Sequence, residues 1–122
     1  MTVSQIYGIK NCDTVKKARK WLTEKEVPHD FVDLRGGALT SELVARWIAD
    51  VGLDNLVNKK STSWRGLTEK QKNQLTPDSA TQLLQEIPTL IKRPVLVIAG
   101  QTHVGFSPEK YQNLLNEGEL LA

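Results

Sequence analysis

The sequence predicts an α/β fold in which a mixed four-stranded sheet is interrupted by a block of helices, in the order βαβ, helices, ββα. Two observations carry this expectation. Within about the first thirty residues the apolar pattern changes from strand-like to helical and back again. After Pro88 it returns to alternation in "PVLVIA" and "THVGF", having been helical since about residue 40.

Val3 to Tyr7 reads as a short strand, punctuated by Gly8. A helix is expected from about Asp13 to Glu26. Val15, Ala18 and Leu22 recur at helical spacing and Trp21 widens the stripe, while Lys16, Lys17, Arg19 and Lys20 face water. Asp13 is the expected N-cap and Pro28 the stop. "HDFVDL" then alternates like a second strand, and a βαβ unit of this size makes its two strands parallel. A second helix begins behind Thr40 or Ser41, with Leu43, Val44, Trp47, Ile48 and Val51 on one face before Gly52. "LDNLVN" and "TEKQKNQL" read as short helical turns joined by an irregular "KKSTSWRGL". Thr76 and Pro77 open a helix with Ala80, Leu83, Leu84 and Ile87 inward. Gly100-Gln101 offers a hairpin turn between the last two strands, and Ser107 and Pro108 start a closing helix through Tyr111, Leu114 and Leu115. This order resembles a thioredoxin-like fold with a helical insertion. One domain spanning residues 1–122 is expected, with the insertion at about residues 40–88.

Composition narrows the function. A chain of 122 residues with 39% hydrophobic content can bury a core without staples, and one cysteine excludes an internal disulfide. No basic n-region precedes an apolar h-region and no apolar run reaches the ~20 residues of a membrane span, so a cytoplasmic protein with no membrane role is expected; a monomer is expected as well. The 16 basic and 14 acidic residues are well mixed, giving a net charge of +2, too weak a bias for nucleic acid. His29 and His103 are isolated, and no metal site is expected.

The lone cysteine lies in "YGIKNCDT", between the first strand and the first helix. Unpaired N–H groups and the positive end of the dipole favour an anion there, so a thiolate gains from the position. Lys10 and Lys16 add positive charge, and Asp13 opposes them. The bland alternative is a small thiol that fills space. The carboxyl end of the first strand is where α/β sheets place ligands, which favours a chemical role for Cys12. A single cysteine cannot resolve a disulfide within its own chain, so turnover must pass through a mixed disulfide released by an external thiol. Arg93 and Pro94 open the third strand, a place where the missing proline N–H is harmless.

Taken together and in order, "YGIKNCDT", "WRGL", "IKRPVLV" and "GFSPEKY" resemble the ArsC/Spx family of thioredoxin-like proteins, and within it the YffB branch, across essentially the whole chain. In the family's arsenate reductases a cysteine attacks arsenate, three arginines hold the oxyanion, and glutathione with glutaredoxin supplies electrons. The resemblance matches Cys12 to the nucleophile and Arg93 to one arginine, and puts Asn58 and Phe106 where the other two would stand. Each charge-assisted hydrogen bond to an oxyanion contributes roughly 1.5–3 kcal/mol, so losing two weakens arsenate binding by orders of magnitude unless Lys59, Lys60 or Arg65 replaces them. The Spx branch, regulators that bind RNA polymerase, uses a Cys-x-x-Cys switch whose second cysteine is Val15 here. The YffB branch implies a glutathione-dependent thiol reductase. Cys12 is then the nucleophile, Lys10 and Asn11 steady the thiolate, Arg93 and Pro94 hold the tripeptide, and Arg65 is a candidate for the rim. No tightly bound cofactor is implied. Glutathione is the cosubstrate, and the partners are a small-molecule or protein disulfide and glutaredoxin. Docking on RNA polymerase without a redox switch, and arsenate reduction with weakened oxyanion binding, are the alternatives.

Overall fold

A computed structural model describes residues 4–37, 39–98 and 100–118. It divides into two compact units, residues 1–34 with 93–122, and residues 35–92.

The first unit holds the sheet. Strand β1 (Ser4–Gly8) is followed by helix α1 (Asp13–Glu24) and strand β2 (His29–Asp33); after the second unit come β3 (Val95–Ile98), β4 (Gln101–Val104) and helix α7 (Pro108–Asn116). Strand order is β2-β1-β3-β4, with β1 and β2 parallel and the other pairs antiparallel. This is the mixed four-stranded, thioredoxin-like sheet that the sequence order implies. Ile6 lies opposite Leu96 in the register, and two positions on, Ile98 continues the same face. That face is buried with Ala18 and Leu22 of α1 and with Tyr111 and Leu114 of α7. Trp21 and Phe106 each meet the Tyr111 ring edge-on, at 5.7 and 4.7 Å between centroids.

Three sequence expectations need correcting here. Cys12, not Asp13, is the N-cap of α1, because its backbone is extended while its carbonyl already accepts from Lys16 N–H at 3.0 Å. The helix stops at Glu24, before Pro28 is reached, because Glu26 turns to a φ of +57°. The hairpin turn lies one residue earlier than expected. Gln101 already pairs with Ile98, and the positive φ of +80° falls on Gly100. Val3 and Ala99, read as strand residues in the sequence, lie outside the described residues.

The second unit is helical: α2 (Ser41–Val51), α3 (Leu53–Leu56), α4 (Thr62–Arg65), α5 (Glu69–Asn73), α6 (Ala80–Glu86) and a 3-10 turn at Pro88–Leu90. Its core gathers Val44, Trp47, Leu56, Leu83, Leu84, Leu90 and Ile91. A bridge between Val57 and Ile91 ties the middle of this unit to its C-terminal end, with Asn58 N–H to Leu90 O at 2.8 Å and Lys92 N–H to Leu56 O at 2.7 Å. Helix α6 begins at Ala80, not at Thr76-Pro77. Thr76 instead closes a turn in which its hydroxyl meets that of Ser79 at 2.7 Å. Within "KKSTSWRGL", read as irregular, α4 forms because the Ser61 hydroxyl accepts from Trp64 N–H.

Candidate functional site

The chain leaves β1 at Gly8, turns through Ile9 to Asn11, and enters α1 at Cys12, whose N–H donates to Ile9 O at 3.0 Å. As N-cap, Cys12 stands at the end of a twelve-residue helix where the first-turn N–H groups lack intrahelical partners. Its thiol makes no capping bond and is partly exposed. Lys10 and Asn11 are exposed beside it, and Lys16 sits one turn along the same helix.

Gly8 fixes how closely this loop approaches the helix. A Cβ at Gly8 would lie 2.6 and 2.9 Å from the two γ-methyls of Val15, which is fully buried. The absence of a side chain therefore lets the first turn of α1 seat directly against the end of β1. The sequence reading treats Gly8 only as the end of a strand. The signal that finds its second role is a branched residue seven positions on, in the first turn of the helix. Val15, the position of the second cysteine in the Spx pattern, is a packing residue against this glycine.

Tyr7 pairs with Val95, so Gly8 and Pro94 are the next residues out at the same end of the sheet. The Arg93-Pro94 peptide is cis, Pro94 is buried, and its carbonyl accepts from Gly105 N–H at 2.9 Å. Arg93 is half-buried, with its Nε out of reach of solvent. The loop carrying Lys10, Asn11 and Cys12 and the dipeptide Arg93-Pro94 thus leave the sheet at one end. Burial raises the phenol pKa of the neighbouring Tyr7, which keeps it neutral.

Arg65 belongs to the second unit, as the last residue of α4, with its guanidinium 3.5 Å from the Thr62 hydroxyl. Asn58 and Phe106, which the family resemblance sets against two arginines, have structural roles here. Asn58 accepts from Lys60 N–H through its side chain at 3.1 Å and shapes the turn before α4. Phe106 packs on the core of the first unit.

The sequence matches the model of the ArsC family over residues 7–114. It is 46% identical to an uncharacterized protein of Haemophilus influenzae over 88% of this chain and 94% of the other. A solved structure of a YffB protein superposes with a TM-score of 0.85 at 42% identity, covering 91% of this chain and 97% of that one. The global transcriptional regulator Spx of Enterococcus faecalis is 27% identical over 90% of this chain and 84% of its own. Among the described residues, no helix is long and apolar enough to cross a membrane.

Proposed function

The chain belongs to the ArsC family, and from that premise we propose that it is a cytoplasmic, glutathione-dependent thiol reductase working through Cys12. The Cys12 thiolate attacks the glutathione sulfur of a mixed disulfide, forming a Cys12-glutathione disulfide and releasing the substrate thiolate, which takes up a proton. A glutathione thiolate then attacks the glutathione sulfur of that intermediate, restoring the Cys12 thiolate and leaving as oxidised glutathione. The substrate is reduced by two electrons, and two glutathione sulfurs, one from the mixed disulfide and one free, are joined in exchange. Because the described chain holds one cysteine, the second step belongs to an external thiol.

The observation that supports this reading most is the placement of Cys12: an uncapped thiol at a helix N-terminus, at the sheet end from which Arg93 and Pro94 also depart. Lys10 and Asn11 flank the thiolate. Arg93 supplies a planar fork suited to a glutathione carboxylate, and Pro94 a wall for the tripeptide backbone. Glutaredoxin is a candidate protein partner. Asn58 and Phe106 provide no charge for a tetrahedral oxyanion, which disfavours arsenate as substrate.

The test is steady-state reduction of a glutathionylated peptide by glutathione. Turnover by the wild-type chain that disappears in Cys12→Ser supports the proposal; turnover retained in Cys12→Ser removes it. Similarity to Spx over 90% of the chain favours one second reading, docking on RNA polymerase with Cys12 idle. Capture of the purified polymerase α subunit equally by wild type and Cys12→Ser, with no peptide turnover, supports docking.

A further inference from the structure

The second unit contains a cavity of about 210 Å³ that the thiol chemistry does not use. Leu53, Val57 and Leu75 supply apolar wall, and the half-buried Trp64 supplies a flat aromatic surface. Two lysines lean over that indole, Lys59 with its Nζ 5.8 Å and Lys72 with its Nζ 5.3 Å from the ring centroid. Their carboxylate partners are Asp54 at 3.5 Å and Glu69 at 3.9 Å, whose side chains are 93% and 89% exposed. Ion pairs as open as these contribute little, so an incoming anion can take over the ammonium groups at small cost.

We propose that this cavity is a binding site for a small aromatic carboxylate. The volume of this open, partly polar cavity suits a single ring with a short polar extension. The ring packs on the Trp64 face and against Leu53 and Leu75. Its carboxylate meets Lys59 and Lys72, which stay held near the indole by attraction to the ring. The ligand class follows from that pairing. A neutral ring lacks the ionic attraction of a carboxylate to the two ammonium groups, and a cationic one can pair only with the outlying, largely exposed carboxylates of Asp54 and Glu69.

Binding is read by NMR from the three tryptophan indole N–H signals, with the Trp64 signal assigned from a Trp64→Phe sample. The probes are benzoate, the neutral benzamide and the cationic benzylamine. Benzoate is expected to shift the Trp64 signal saturably and to bind about fivefold or more tightly than benzamide, with benzylamine weakest. Lys59→Gln and Lys72→Gln should each weaken benzoate two- to fivefold, a range set by exposed ion pairs. Leu75→Phe should block the ring. No saturable shift, equal affinity for benzoate and benzamide, or unchanged affinity in both lysine variants overturns the proposal. The readout involves no thiol, so its failure is separate from any failure of the Cys12 chemistry.

Discussion

Gly8 and Val15 show how a single missing side chain positions the thiol. A Cβ placed on Gly8 would come within 2.6 Å of a Val15 methyl, so Gly8→Ala forces either α1 or the end of β1 to move. Overpacking of this kind costs about 1–3 kcal/mol, and the branched Val15 is stiff at χ1 in a helix. Val15→Ala alone loses buried methyls and about 2 kcal/mol. The pair in combination should lose clearly less than the sum, because the smaller residue at position 15 makes room for the new methyl; strictly additive urea-unfolding costs would contradict the contact. Arg93 offers a second test at this scale. Arg93→Ala should raise the KM for a glutathionylated peptide about tenfold or more, as expected for a lost charge-assisted pair, while the circular dichroism spectrum stays native. Arg93→Lys should recover only part of that loss, since an ammonium cannot form the planar fork. An unchanged KM in Arg93→Ala would remove the residue from the site.

The elements divide into those whose sequence carries a period and those held by a local hydrogen bond. Helix α1 is legible from Val15, Ala18 and Leu22, and β1 and β3 from short apolar runs, because each buries a face against the same core. Helix α4 is not, since four residues complete one turn and leave no repeat to read; a single Ser61 hydroxyl makes the difference. The misplaced start of α6 has a similar origin, as Thr76 and Pro77 carry the usual composition of a helix start but the Thr76 hydroxyl is engaged by Ser79. The candidate site is legible to the same degree. Cys12, Lys10, Asn11, Arg93 and Pro94 can be named from "YGIKNCDT" and "IKRPVLV", whereas the Gly8 contact depends on the angle between strand and helix, which periodicity does not encode. Capping energies can be checked on α2, where the Thr40 hydroxyl accepts from Leu43 N–H at 3.1 Å. Thr40→Ala should cost about 1 kcal/mol in urea unfolding and Thr40→Ser almost nothing. Equal losses in the two variants would contradict a capping role.

For the molecule as a whole, alkaline stability is set partly by Tyr111. Its ring is fully buried between Trp21 and Phe106, its hydroxyl finds no partner among the described residues, and burial pushes its pKa well above the ordinary 10.0. Below about pH 10 folded and unfolded chains both hold this proton, so the group gives no pH dependence. Above that value the unfolded chain releases it and the folded chain does not, and stability falls as pH rises, by up to about 1.4 kcal/mol per pH unit. Tyr111→Phe should flatten that alkaline decline, leaving the share of Tyr7, and should be as stable as wild type at neutral pH because no hydrogen bond is lost. An unaltered alkaline slope would contradict the burial argument. Intact-mass analysis tests the thiol chemistry that this scaffold presents. Reduced protein incubated with oxidised glutathione should gain one glutathione on Cys12 and shed it when reduced glutathione is added, while Cys12→Ser gains none. A wild-type chain that stays unmodified, or an adduct that reduced glutathione cannot release, would contradict the account.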